Sequence, residues 1–442
     1  MLKVAVIGAG WAGCAAAVEA TRRGHRVTLL EATPAAGGRA RRVDVQGKLL
    51  DNGQHILIGA YTETLKLMAA LGVDEHTALL RLPLNMQFPN GDGLKLPQSA
   101  FMPAPLDALV GMVRARGWSW SDKLSLLKTT ATWQLRRFQC LPQQSVTDVC
   151  GSVSPHLMAT LIEPLCVSAL NTPPNRASGQ VFLRVMRDAL FSSSGGSNLL
   201  LPRVDLSALM PNPALMWLQR HGGTVMLGAR VQSLVPSSAG WALACTGRPE
   251  CSDVFDRVVV ACPPVEAARL AATSTLPCQA WLAHTRGLAH EAIATVYLRI
   301  NGGAKTHLNQ HMLALRSSTE YPAQFVFDRG QLGGPPGLLA FVVSASAQSS
   351  AVLTQRVLAQ ARAQLGLQSL EVVQTIVEKR ATFACAPGLA RPGTHIAAGL
   401  LACGDYIEGP YPATLEGAVR SGLAAAKQLD DVKPAVWKQP LD

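Results

Sequence analysis

The first residues whose types and spacing imply chemistry are the glycines of Gly8-Ala9-Gly10-Trp11-Ala12-Gly13 and an acid at Glu31, in a chain of 442 residues. Gly8 permits a tight turn, Gly10 lets backbone approach a pyrophosphate, and Gly13 lets a helix pack closely on a strand. The apolar run Lys3–Ile7 reads as a buried parallel strand. Cys14–Arg23 reads as an Ala-rich helix ended by Gly24, and Arg26–Leu30 as a second strand closing on Glu31. The pyrophosphate is expected against the helix N-terminus, with Trp11 and Ala12 beside it, because free N–H groups and the helix dipole favour negative charge there. Glu31 is placed to accept hydrogen bonds from ribose hydroxyls, and its charge disfavours a 2′-phosphate. The apolar start superficially resembles a secretory signal, but the strand, turn, helix, strand order assigns it to a folded dinucleotide unit.

The segment after Glu31 narrows the dinucleotide. Five residues separate it from Gly37-Gly38-Arg39, and Asp51-Asn52-Gly53-Gln54-His55 follows on the next extended segment. This arrangement resembles the flavin amine oxidase and phytoene desaturase superfamily. The resemblance implies FAD as cofactor, with the diglycine against it and Arg39 at the cofactor and cavity wall. It also implies that Val231, after Ala229-Arg230, holds the adenine by backbone contacts. Near the C-terminus, Leu400-Leu401-Ala402-Cys403-Gly404-Asp405 reads as a strand and turn. A proline-rich loop, Gly409-Pro410-Tyr411-Pro412-Ala413-Thr414, then precedes an Ala-rich helix. Asp405 suits the ribityl chain, and the loop at Pro412 brings the N–H groups of Ala413, Thr414 and the helix start to the flavin's N1–C2 edge, which stabilises negative charge there. Only one glycine-rich dinucleotide turn is present, so a second nucleotide domain is not expected.

No nucleophile elbow, HExxH or paired-carboxylate motif occurs, and no metal site is expected. The candidate catalytic groups are His55, Asn52, Gln54 and Tyr411, with Asp51 and Asn171 as candidate substrate contacts. Asp51–His55 with Ile58-Gly59-Ala60-Tyr61, Leu170-Asn171-Thr172-Pro173 and the C-terminal GDYIEGPYPATLEGAVRSG segment are most similar to the squalene-associated FAD-dependent desaturases, or hydroxysqualene dehydroxylases, of bacterial hopanoid pathways. That likeness implies reductive loss of an allylic hydroxyl from hydroxysqualene, with hydride from reduced flavin N5 and His55 as first candidate proton donor. The alternatives are a carotenoid-type desaturase running in the oxidative direction, an amine oxidase, and a non-enzymatic FAD-binding module. Aromatics make up only 5% of the chain, which argues against the aromatic cage an amine substrate calls for.

The elements that must position these residues give an α/β fold: a Rossmann-like FAD-binding domain with an inserted mixed α+β substrate domain and a helical membrane-facing part. The expected cofactor domain is discontinuous (1–85, 200–275, 386–442). A mainly helical insert spans 86–199 and a mixed strand and helix domain 276–385. Helices are expected at Leu106–Arg116, Ser121–Phe138, Val181–Phe191 and Val352–Leu365, and strands at Ala292–Ile300, Gln324–Asp328 and Leu338–Ser344. At 48% hydrophobic and 16% charged residues, the chain is not of the disordered class. No segment reaches the roughly 18–20 apolar residues of a spanning helix. Ten cysteines without CxxC spacing read as reduced thiols. The net charge is +11. Residues 21–48 hold seven cations against two acids, and residues 101–147 six against two. The second stretch interleaves Trp118, Trp120, Trp133 and Phe138, a pairing expected of an interfacial helix on anionic lipid. No nucleic-acid motif is present. The expected setting is cytoplasmic, peripheral on the inner face of the cell membrane, with an apolar C30 isoprenoid as substrate and contact with upstream squalene-pathway enzymes.

Overall fold

The strand Lys3–Ile7 sits at the centre of a six-stranded sheet because its side chains are apolar toward both faces. A computed structural model describes residues 1–97, 105–191, 194–246, 253–301 and 308–431. The sheet order is Thr224–Leu227, Arg26–Glu31, Lys3–Ile7, Arg257–Val260, Leu400–Ala402 and His395–Ala397. The first five strands are parallel and the last is antiparallel. The two-residue period of a strand divides its side chains between two cores. Val4, Val6, Leu29 and Val259 pack with Ala12, Ala15 and Ala16 of helix Trp11–Arg22. Ala5, Ile7, Leu30 and Val260 pack with Leu234, Trp241 and Leu243 of a three-stranded antiparallel sheet, Val231–Ser237, Gly240–Cys245 and Val254–Phe255. The first helix begins at Trp11, three residues before the expected Cys14, because Gly10 already accepts the first helical bond from Cys14 N at 2.9 Å.

The second half is built on five antiparallel strands in the order Met312–Ala314, Phe325–Asp328, Leu338–Ser344, His290–Ile300 and Leu370–Phe383. Helix Ser350–Leu365 covers one face, where Val296, Leu298, Phe341 and Val343 meet Leu353 and Val357. The other face looks back at the cofactor half: Tyr297 Oη donates to the Asp51 carbonyl at 2.9 Å, and Gln54 N donates to Thr295 Oγ1 at 3.3 Å. Strand Leu370–Phe383 was not expected. It is an edge strand carrying Glu371, Glu378, Lys379 and Arg380, so half-exposure dilutes its alternation.

The expected helices of the insert form as Leu106–Arg114, Trp120–Leu135 and Gly179–Leu190. The second starts where it does because Ser119 and Asp122 make a reciprocal capping box. The aromatics of this insert correct the expected interfacial signature. Trp118 and Trp133 are buried, Trp133 Nε1 donating to the Val149 carbonyl, and Phe138 packs on Phe191; of these four aromatics Trp120 alone faces outward. Among the described residues, no helix is long and apolar enough to cross a membrane.

Candidate active site

The three glycines of the first turn do different work. A Cβ on Gly8 would lie 2.7 Å from the Ala261 carbonyl oxygen, and one on Gly13 would collide with the Gly8 carbonyl, so both are fixed by packing against protein. A Cβ on Gly10 would meet nothing within 4 Å. Gly10 therefore guards open space at a helix start that carries no side-chain cap and no acid in its first turn. Uncapped N–H groups facing a space kept clear by glycine fit a pyrophosphate.

The other motifs converge on this turn. Gly37 N donates to the Ala9 carbonyl at 2.8 Å, and a Cβ on Gly38 would lie 3.3 Å from Gly10 Cα. Trp11 Nε1 donates to the Ala40 carbonyl, closing the diglycine segment over the helix start, where Ala12 is buried. Glu31 Oε2 accepts from Ala9 N, and Oε1 accepts from Thr33 N and Oγ1, each at 2.8 Å. Its carbonyl accepts from Ala229 N, which brings buried Val231 into the same corner; the Val231 carbonyl accepts from Arg269.

Arg39 links the N- and C-terminal motifs. Its Nη2 pairs with Asp405 Oδ1 at 2.6 Å, and its Nη1 donates to the Ala381 carbonyl at 2.7 Å. Strand Leu370–Phe383 thereby reaches the cofactor motifs, through a backbone atom that no motif reveals. Gly404 N donates to Ser421 Oγ, and the Asp405 carbonyl accepts from Ala413 N. Next to Asp405, the Tyr406 hydroxyl is buried without a hydrogen-bond partner among the described residues. A buried donor left open beside Asp405 fits a polar cofactor chain.

The loop Tyr411–Thr414 is held in an uncommon conformation: Tyr411 and Ala413 have φ of +58° and +59°. Three contacts over-determine it. Tyr411 Oη donates to Asp188 at 2.9 Å, Thr414 Oγ1 donates to the Tyr411 carbonyl, and Thr414 caps helix Leu415–Lys427. The Tyr411 ring lies edge-on to Tyr61 and under Arg420. Burial, then the bond to Asp188, pushes its hydroxyl up to about 12. This hydroxyl is committed to the scaffold. A cavity of about 220 Å³ lies between Pro412, Phe383, Val181 and Arg391.

The remaining candidates divide. His55 stays near Arg39, and burial first, then that positive charge, pushes its imidazole down to about 4. Half-buried His290, also near Arg39, is lowered by burial and then by Arg39 and Arg380; its position in an unexceptional strand sequence gave no signal. The buried Gln54 Oε1 has no partner among the described residues. Asn52 Oδ1 accepts from Arg41 N at the mouth of a hairpin, Arg42–Val45 with Lys48–Asp51. Asn171 ends helix Glu163–Leu170 in the left-handed region and bridges Thr382 Oγ1 and Ala345 N.

Asp51 is buried, accepting from Leu206 N at 2.9 Å with Arg329 at 3.9 Å. Burial raises its carboxyl to about 6, against the opposing pull of the Leu206 amide and Arg329. Its folded pKa exceeds the unfolded value, so its contribution to stability is complete below about pH 4 and is lost as pH rises through 6. Asp51→Asn keeps an acceptor for Leu206 and removes the titration. Urea unfolding should find the variant gaining on the parent by up to about 3 kcal/mol between pH 4 and 7; a constant difference would show that Asp51 stays ionised.

Comparison with known proteins follows the same lines. The family described as flavin containing amine oxidoreductase matches residues 11–430. The chain is 26% identical over 439 residues to hydroxysqualene dehydroxylase of Sinorhizobium fredii, covering 96% of this chain and 97% of that protein. It is 27% identical over 438 residues to hydroxysqualene dehydroxylase of Rhodopseudomonas palustris, with the same coverage. Among solved structures, an oxidoreductase from Methanosarcina mazei superposes with a TM-score of 0.70 at 17% identity, covering 96% of this chain and 100% of that one. A single-dinucleotide α/β fold, a cradle of glycines with an uncapped helix start, and a match over nearly the whole chain lead to one conclusion: this FAD-dependent oxidoreductase belongs to the flavin containing amine oxidoreductase family.

Proposed function

We propose that this protein catalyses the reductive dehydroxylation of hydroxysqualene to squalene. The observation that carries the reading is likeness along the whole chain: dehydroxylases from two organisms align over 96% of it and 97% of their own length, so the likeness includes both substrate halves as well as the cofactor motifs. In this reaction the allylic C–O bond breaks, oxygen departs as water after gaining one proton, and the carbon gains a hydride. Bound FAD, in its reduced form, supplies that hydride from N5. The protein's residues supply position and exclusion of water. Phe383, Val181 and Leu389 line the cavity beside Pro412 together with Ser178, Gln180 and Arg391, so its wall joins apolar and polar groups.

His55 faces the departing hydroxyl in this reading. Its imidazole is neutral at pH 7 and holds no spare proton, so it donates a hydrogen bond that orients the hydroxyl, and the proton that leaves with the oxygen comes from solvent. His55→Ala is expected to keep its flavin and to slow single-turnover conversion about 10- to 100-fold; an unchanged rate removes His55 from the reaction. The decisive experiment incubates reduced enzyme anaerobically with hydroxysqualene and analyses the lipid by mass spectrometry. Squalene is the expected product. Its absence overturns the reading, and new double bonds in an added polyene would favour the carotenoid-type desaturase.

A further inference from the structure

Helix Trp120–Leu135 is apolar on two opposite sides, and among the described residues only one side has a partner. Leu126, Thr129 and Trp133 are buried against the insert. Trp120, Leu124, Leu127, Ala131 and Leu135 recur at spacings of three and four, which at about 100° per residue places them in one stripe roughly opposite the buried one. That stripe is exposed: Trp120 by 76%, Leu124 by 66% and Leu135 by 87%. Lys123 and Lys128 fall roughly 80° and 60° to either side of its centre line. The preceding helix, Leu106–Arg114, adds exposed Leu106, Leu109 and Val113 at the same spacing. The two stripes meet at Lys123, whose Nζ donates to the Val113 carbonyl at 2.7 Å and lies 5.2 Å from the centre of the Trp120 ring.

The rim of this apolar surface is basic. Arg114, Arg116, Lys128, Arg136 and Arg137 are exposed around it. The two acids of the stretch do not offset them at the surface: Asp122 is buried and spent on Ser119 and Ser154, and Asp107 is half-buried in the first turn of its helix. We propose that the outward faces of these two helices dock the protein on an anionic lipid bilayer, with Trp120, Leu124, Leu127 and Val113 entering the acyl boundary and the cations reaching headgroup phosphates. An exposed apolar patch with a polar rim marks an interaction surface, and a leucine stripe flanked by lysines suits a helix lying in the interface plane. A second copy is the poorer occupant, because a two-fold contact sets one basic rim against the other. A groove of about 560 Å³ is lined by Cys150, Val153, Pro155, Met158 and Pro173, on segments that meet the docking helix at Ser154. Asp122 ties the two together, capping the docking helix and accepting from Ser154 Oγ next to Pro155.

Flotation of the full-length holoprotein with phosphatidylcholine vesicles, with and without phosphatidylglycerol, tests this surface whatever the substrate is. Phosphatidylglycerol should raise the bound fraction about tenfold at low salt, and added salt should reduce it severalfold. Leu124→Glu with Leu127→Glu should abolish flotation while circular dichroism and flavin content stay unchanged, since both side chains are solvent-facing. Lys123→Gln with Lys128→Glu should remove the preference for phosphatidylglycerol. Failure to float, equal flotation on both vesicles, or wild-type binding by the leucine variant overturns the proposal. So does a leucine-dependent dimer in sedimentation without vesicle binding.

Discussion

Gly10→Val should yield a folded, colourless protein, whereas Gly13→Val should not yield a folded one. Gly10 has φ of −71° and ψ of 177°, an extended conformation open to any residue, and its Cβ direction is clear to 4 Å. A valine there costs the protein little on its own account and fills the space the cofactor's phosphates need. Flavin affinity should fall on the order of 100-fold or more, about 2.7 kcal/mol, with the denaturation midpoint of the apoprotein nearly unmoved. At Gly13 the same side chain runs into the Gly8 carbonyl and Ala261, with backbone on one side that cannot yield. The first helix would have to leave the sheet, and with it the packing of Ala12, Ala15 and Ala16 under Val4 and Val6. Flavin absorbance per chain and far-UV circular dichroism separate the two outcomes. If Gly10→Val binds flavin as the parent does, the cradle lies elsewhere.

The βαβ unit was legible because every requirement on it is local: contiguous apolar strands, a glycine where two backbones touch, and an acid at the strand end. Arg39 and Asp405 were each legible as motif members. Their contact, 366 residues apart in sequence, and the Ala381 carbonyl that completes it are consequences of sheet topology. Tyr411 shows the opposite failure. Its type and place pointed to chemistry, while its hydroxyl is held by Asp188, 223 residues away, to fix a loop in the left-handed region. The tryptophans near residue 120 show why composition misleads about surfaces. Four aromatics among cations read as one interfacial face, yet helical phase sends Trp133 inward and Trp120 outward. The leucine stripe with Trp120 was in the sequence all along, but a helix apolar on both sides does not say which side has a partner.

The Arg39–Asp405 pair should behave as a coupled unit, in the apoprotein and in cofactor binding alike. Asp405 is 9% exposed at its side chain and Arg39 29%, so removing either leaves a charge that water reaches poorly. Breaking a buried pair costs about 3–5 kcal/mol, and partial exposure of Arg39 lowers the expectation to about 2–3. Arg39→Ala also frees the Ala381 carbonyl and loosens strand Leu370–Phe383 from the diglycine segment, so its penalty should exceed that of Asp405→Asn. Asp405→Asn keeps an oxygen for Arg39 and the carbonyl that anchors Ala413, and should therefore fold while binding flavin less tightly. The double variant carries no stranded charge. Its loss of stability in urea should fall short of the sum of the single losses by at least about 1 kcal/mol. Additive losses would mean that the 2.6 Å contact contributes nothing, and that strand pairing and the packing of the first and last helices hold the two ends of the chain together. A deficit in the double variant would instead show that this ion pair couples the N-terminal turn to the C-terminal loop.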